Sequence, residues 1–172
     1  MAMQAVDEAK YDRQLRLWGL NGQQRLQNSY ILLVNADATG SETLKNLVLP
    51  GVGNIAILDD TMVTADDLGQ FIHFVHNSLS YSLTTCKGNN FFVTNDDLGK
   101  PRGQVVCNWL IEMNPEVKGG HFHDNVKSVL LNDSLFFNKF SFIILSNVDP
   151  GIIFHAILLN DSLTHLHKSR EC

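Results

Sequence analysis

Residues 30 to 60 constrain the fold of this chain more than any other stretch. Tyr30 to Val34 is an unbroken apolar run, as expected of a strand covered on both faces. From Thr39 the period changes. Leu44, Leu47 and Val48 recur at i, i+3 and i+4 on one helix face, and Leu49-Pro50-Gly51 ends the helix. Ile55 to Leu58 is a second fully apolar strand. Strand, helix and strand in so short a span form a right-handed βαβ unit, which requires a parallel sheet.

The flanks extend this plan. Tyr11, Leu15 and Trp18 share a face of a helix over residues 11 to 19, while Arg13 and Arg16 project elsewhere. Asn21 or Gly22 is expected to end that helix, with a second short helix over QQRLQN. A helix is expected over residues 101 to 114, with Pro101 in its first turn and Val106, Trp109, Leu110 and Met113 on one face. Val117 to Phe122 reads as a strand interrupted by Gly119 and Gly120, residues 126 to 138 as a helix, and Phe140 to Leu145 as a buried strand. Residues 70 to 88 follow neither period, and the apolar, then His-rich tail from Gly151 has no evident place in the sheet. The expected fold is α/β: an open, doubly wound, mainly parallel sheet of the Rossmann type with helices on both faces. Its ligand crevice would lie at the C-terminal strand ends, at the turn over residues 35 to 40.

Composition narrows the class of partner. The 172 residues are 44% hydrophobic and 18% charged, which is globular composition. A net charge of −5 argues against a nucleic-acid backbone as main partner. Runs such as FSFIILS and GIIFHAILL are too short to span a bilayer, so no membrane association is expected. No basic n-region followed by an apolar h-region opens the chain, so no secretory signal is expected either. The three cysteines, Cys86, Cys107 and Cys172, have no C-x-x-C spacing and form an odd set, which suits the cytosol or nucleus. The sequons at Asn132 and Asn160 carry no meaning there. Cys107, mid-helix beside Trp109, reads as core. The histidine pairs His73/His76, His121/His123 and His165/His167 are scattered and lack a cysteine pair, so no metal site is expected.

The turn after the first strand carries the chemistry. A dinucleotide fingerprint places G-x-G-x-x-G there: the first glycine for the tight turn, the second for close approach of phosphate, the third for helix–strand packing. This chain has Asn35, Asp37 and Gly40 at those positions. Gly40 keeps the third role, and Asn35 tolerates the left-handed turn better than most residues. Asp37 puts a carboxylate where phosphate would come. At 4 Å and an effective dielectric near 20, two like charges repel by about 4 kcal/mol. A helix N-terminus returns only about 0.3–1 kcal/mol, and ~2 in favourable geometry. Asp37 can equally serve as the cap of the following helix. Asp59, at the end of the second strand, stands where an acid would bind ribose, or is an ordinary turn residue beside Asp60.

KYDRQLRLWG, NADATGSETLKNLVLPGVG, NNFFV, LGKPR and SLFFNKF together resemble the ThiF-like, ubiquitin-like-modifier activating enzymes. Among these the likeness is to the regulatory, non-catalytic subunits of neddylation-activating enzymes, over residues 10 to 69 and 89 to 148. The related non-catalytic subunits of SUMO-activating enzymes, an alternative, share YDRQ-RLWG but keep a more glycine-like turn. The resemblance implies a heterodimer whose catalytic subunit holds ATP and magnesium, adenylates the modifier and carries the thioester cysteine. This half would bind no cofactor itself. The arginine of the family's N-x-R-Q motif falls within Asn89-Asn90-Phe91-Phe92 and is lost. The G-x-P-K lysine aligns with Arg102, and the magnesium-binding aspartate near Asn147. Asn35, Asp37, Gly40, Asp59, Asn90, Arg102 and Asn147 would then form a degenerate, pseudo-active site.

The resemblance also implies that Arg13, in the Y-D-R-Q helix, reaches across the dimer into the partner's ATP site, with Tyr11, Leu15 and Trp18 anchoring the helix. Arg16 is expected in a surface ion pair. Residues 70 to 88 interrupt a passage that the family runs continuously, and the chain past residue 150 does not resemble it. The expectation is a pseudo-adenylation domain over residues 1 to 150 with an atypical insert, an unplaced tail over 151 to 172, and a truncated chain. A retained intron, an alternative transcript or a faulty gene model would each account for that. Two further readings stand beside the regulatory one. The first is an inert or dominant-negative fragment competing for the partner. The second is a nucleotide-dependent enzyme with an unusual fingerprint, favoured by Asp59 and opposed by Asp37.

Overall fold

A computed structural model describes residues 6 to 68, 89 to 133 and 135 to 152. The expectations for residues 70 to 88, for the tail beyond residue 152, and for His73, His76, His165, His167, Cys86, Cys172 and Asn160 fall outside the described residues.

Among the described residues, four parallel strands form one sheet: β1 (Tyr30–Val34), β2 (Asn54–Leu58), β3 (Lys118–Phe122) and β4 (Phe142–Leu145), in the order β3-β2-β1-β4. The chain steps outward from β1 through β2 to β3, then returns to the other side of β1. The switch point, where ligand crevices form in open α/β sheets, therefore lies between β1 and β4. Helix α1 (Asp12–Gln27) precedes the sheet, and α2 (Ala38–Val48), α3 (Arg102–Met113) and α4 (Val126–Asn132) connect its strands.

Alternation within β1 and β2 feeds two separate cores. Ile31, Leu33, Ile55 and Ile57 pack with Leu44 and Val48 of α2 and with Val106, Cys107 and Leu110 of α3. On the other face, Leu32, Val34, Ala56 and Leu58 pack with Leu130 of α4 and with Phe136, Phe137 and Phe140. Both faces are covered, which is why the strand sequences are continuously apolar. Gly119 and Gly120 do not prevent β3 from pairing with β2. A Cβ at Gly119 would stand 2.7 Å from Ile111 Cδ1 and 3.1 Å from Cys107 Sγ, so the glycine lets α3 lie close on the strand.

The structure corrects several expectations. The break in α1 falls at Gly19, whose φ of 69° needs no Cβ accommodation, and not at Asn21 or Gly22. Trp18 is 45% exposed, so Tyr11, at 2%, is the anchor of that helix and Trp18 is not. Trp109 is likewise 42% exposed, because the buried face of α3 runs through Val105, Val106, Cys107 and Leu110. Pro101 is the N-cap of α3, one residue before its first turn. The helix expected over 126 to 138 stops at Asn132–Asp133, residues that favour non-helical backbone, and a separate 3-10 turn covers Phe136–Lys139. β4 begins at Phe142, which is 58% exposed, since β4 pairs only with β1 among the described strands. Among the described residues no helix is long and apolar enough to cross a membrane.

Both flanks of the 70–88 stretch are tied together. The Asn90 backbone N–H donates to the Asp67 carbonyl at 2.8 Å, and Asn90 is itself buried. If residues 70 to 88 are deleted and Gly69 is joined to Asn89, this becomes an i→i+4 bond closing one turn after the 3-10 segment Ala65–Leu68. The deletion is expected to leave the fold intact, with stability unchanged or raised by about 1 kcal/mol from the shorter loop closure. A chemical-denaturation curve checks this, and a lost cooperative transition would contradict it.

Candidate functional site

The strand ends of β1, β2 and β4 meet at one crevice. Asn35, directly after β1, takes φ 68° in the left-handed region. Its backbone N–H donates to the Leu58 carbonyl at 2.9 Å, and its side-chain amide donates to the Ser146 carbonyl at 2.7 Å. The turn thereby ties β1 to both its neighbours. Asn147, after β4, is also left-handed at φ 49°, and it is exposed.

Asp37 is the N-cap of α2. Its carboxylate accepts from the Gly40 N–H at 2.7 Å and from the Ser146 hydroxyl at 2.6 Å. Such a cap contributes about 1 kcal/mol, and it takes an N–H group that a phosphate would otherwise use. Gly40 is there for packing: a Cβ would meet the Asn35 carbonyl oxygen at 2.8 Å and Ser146 Cβ at 2.9 Å.

Asp59 is neither a free ribose acid nor an ordinary exposed turn residue. It is 4% exposed and receives four donors. The Ala36 N–H reaches it at 2.9 Å, the Thr61 N–H at 2.9 Å, the Thr61 hydroxyl at 2.5 Å and Arg102 Nε at 2.9 Å. Arg102, the first residue of α3, spreads its guanidinium further: Nη1 donates to Asp67 at 2.9 Å and Nη2 to the Asn35 side-chain oxygen. Burial alone would lower the Arg102 pKa, but Asp59 and Asp67 outweigh it and raise it further, so the guanidinium stays charged. Burial would likewise raise Asp67, but the Thr64 N–H and Arg102 hold its carboxyl below the usual carboxylate range. Asn90 is a structural rivet: its amide donates to the Ala36 carbonyl at 3.0 Å, and its side-chain oxygen accepts from the Phe92 N–H at 3.1 Å.

The structure therefore brings Asn35, Asp37, Gly40, Asp59, Asn90, Arg102 and Asn147 to one end of the sheet. It does not bring Arg13 there. Arg13 is exposed on the first turn of α1, whose anchor Tyr11 donates from its hydroxyl to Glu116 at 2.9 Å and packs on Gly51. Those contacts precede β3 and β2, at the opposite end of the strands. Arg16 pairs with Asp12 at 2.8 Å on the surface, one helical turn away. Sequence reasoning missed Asp67, Thr61 and Ser146. Thr61 was reachable, because a Thr two residues after an Asp is a common local donor. Asp67 was reachable as well, through its T-x-x-D spacing from Thr64, whose N–H and hydroxyl donate to it, whereas Ser146 carries no such signal.

Beside this network lies a cleft of about 220 Å³, walled by Val34, Leu58 and Val148 and bordered by the carboxylates of Asp60, Asp124 and Asp149. His123 approaches the Asp59 carbonyl at 3.2 Å and lies outside the network itself. Cys107 is in the core, where burial pushes its thiol up to about 11, so it is protonated and unreactive at neutral pH.

Comparison with known proteins identifies the family. The ThiF family model matches residues 11–81. The chain is 41% identical over 137 residues to the NEDD8-activating enzyme E1 regulatory subunit of Danio rerio, covering 80% of this chain and 22% of that protein. To the Xenopus laevis protein of the same name it is 40% identical over 148 residues, covering 86% and 24%. To the NEDD8-activating enzyme E1 regulatory subunit AXL of Arabidopsis thaliana it is 37% identical over 144 residues, covering 84% and 24%. Among solved structures, the E. coli tRNA N6-threonylcarbamoyladenosine dehydratase TcdA superposes with a TM-score of 0.65 at 17% identity, covering 91% of this chain and 57% of that one. E. coli MccB superposes with a TM-score of 0.60 at 16% identity, covering 87% and 41%. At such identities the structural likeness speaks for the fold alone. The chain spans 22% to 24% of the length of these curated relatives, and it carries a ThiF-family domain homologous to part of the NEDD8-activating enzyme regulatory subunits.

Proposed function

We propose that this chain is the regulatory, non-catalytic part of a heterodimeric activating enzyme for a ubiquitin-like modifier, serving neddylation in the cytoplasm or nucleus. ATP and magnesium are held by the catalytic partner, which adenylates the modifier. This chain supplies Arg13 to that site and holds the modifier only through the heterodimer. The observation that carries the reading is the mutual saturation of the polar groups where a nucleotide would bind. Asp59 is neutralised by Arg102, Asp37 occupies the Gly40 N–H, and the ends of the strands are tied by Asn35. A triphosphate would have to displace a buried ion pair and face Asp37. These residues do not fit ATP, so no catalytic step is assigned to them.

The position of Arg13 supports the same reading. An exposed cation, far from its own sheet's crevice and on a helix anchored by Tyr11, is disposed to act on another chain. The test is modifier-dependent ATP–pyrophosphate exchange by the catalytic subunit, with and without the full chain. Stimulation is expected with the neddylation modifier. Binding to the partner without stimulation would turn the reading to a competing fragment, and stimulation with a SUMO-type modifier alone would turn it to the related enzyme. Saturable ATP binding by this chain alone would oppose both.

A further inference from the structure

We propose that the crevice at the strand ends is a guanidinium-binding site whose ligand is the chain's own Arg102. Three acceptors from separate elements receive the three guanidinium nitrogens: the Asp59 carboxylate takes Nε, the Asp67 carboxylate takes Nη1 and the Asn35 side-chain oxygen takes Nη2. Each nitrogen has a different partner. That is the fork geometry which separates arginine from lysine, whose ammonium is a single point of charge.

The receptor is built without help from the arginine. Asp59 is aimed by the Ala36 N–H and by Thr61. Asp67 is aimed by the Thr64 N–H at 2.9 Å and the Thr64 hydroxyl at 3.0 Å. Asn35 is aimed by its left-handed backbone and by its bond to Ser146. The acceptor side chains of Asp59 and Asp67 are 1% and 12% exposed, and that of Arg102 is 10% exposed. Two carboxylates therefore face one largely desolvated cation, and with the cation removed they would face each other's charge.

The consequence is conformational. One side chain from the start of α3 joins the turn after β1, the end of β2 and the 3-10 segment Ala65–Leu68. The turn after β1 and the end of β2 lie at the carboxyl ends of the strands, where open α/β sheets bind their ligands. Arg102 takes the ligand's place permanently, so the domain is ordered without a small molecule. This last sense rests on the reading that the crevice takes no nucleotide.

The test uses the full chain and chemical rescue. Arg102→Ala is expected to melt at a lower temperature than wild type. N-methylguanidinium chloride, titrated at low millimolar concentration against matched sodium chloride, is expected to raise that temperature. Above the dissociation constant the rise should follow the logarithm of concentration. Wild type should not respond, because its site is filled, and Arg102→Ala combined with Asp59→Asn should lose the rescue. A folded Arg102→Ala variant that shows no rescue, or gains as much from sodium chloride, overturns the proposal. Arg102→Lys provides the second check should the alanine variant not fold. Guanidinium recognition requires it to melt well below wild type although the charge is kept, and a wild-type melting temperature would overturn the proposal. ATP added to wild type judges the other reading separately. A rise in melting temperature with ATP would sink the claim that the crevice takes no nucleotide and leave the rescue result to stand or fall alone.

Discussion

Arg13→Ala is expected to reduce the chain's stimulation of ATP–pyrophosphate exchange in the catalytic partner by on the order of 10²-fold, while leaving its own melting curve in place. The magnitude follows from the cost of removing one preorganised charge or donor from a site where negative charge shifts in the transition state. The absence of a stability effect follows from position. Arg13 is exposed, and its side chain makes no hydrogen bond or ion pair among the described residues. Surface substitutions of this kind usually fall within about ±0.5 kcal/mol. Arg13→Lys should restore part of the rate, since it returns the charge without the planar fork. Arg16→Ala is the internal control: its partner Asp12 lies on the same exposed helix face, so little change is expected. Equal losses from both substitutions, or a loss that tracks a lower melting temperature, would refute a specific role for Arg13.

Asp59→Asn is expected to cost about 3–5 kcal/mol of stability, because it breaks a buried ion pair from one side and leaves the Arg102 charge partly unmatched. The amide is close in shape, so the loss is chemical and not steric. All four groups around the Asp59 side chain are donors. An amide must turn its own NH₂ toward at least one of them. Against a typical domain stability of about 5–15 kcal/mol this is a large fraction. In a chain of this size it corresponds to a fall of roughly 6–20 °C in melting temperature. Urea midpoints of the variant and wild type measure it, and a shift of a few tenths of a kcal/mol would show that the pair is not what holds the crevice.

The same network sets a direction in pH. Asp67 titrates below its ordinary value of 3.8 when folded, so the folded state favours its ionised form. Its stabilising contribution is fully present above that ordinary value. It is lost as pH falls through the lower, folded value.

How much of the crevice was legible in the sequence depends on how far apart its partners lie. Asp37 and Gly40 are three residues apart, and the capping bond between them is the kind of short-range geometry that spacing encodes. Asn35 sits one residue past β1, where its tolerance of a left-handed turn could be read directly. Arg102 and Asp59 are both visible as charged residues at element ends, but 43 positions separate them. No local pattern states that one fills the other's need. The two tryptophans illustrate the converse. Trp18 and Trp109 both fall at helical spacing with apolar neighbours, and both are substantially exposed. Spacing defines a helix face to within about one residue on either side, and only the neighbouring element decides which flank of that face it covers.

The sequence by itself determined the parallel α/β plan. Burial on both faces writes a strand as an unbroken apolar run, and a surface helix writes its buried stripe at a 3.6-residue period, so both signals are local. It also placed a carboxylate, Asp37, at the position where phosphate comes closest, and the expectation that phosphate is disfavoured there rests on that local repulsion. Tertiary structure alone decided the fate of Asp59. Residues from the end of β2, the 3-10 segment Ala65–Leu68 and the start of α3 had to converge before its charge met an internal arginine, and convergence of distant segments is fixed by packing and not by the neighbours of any one residue.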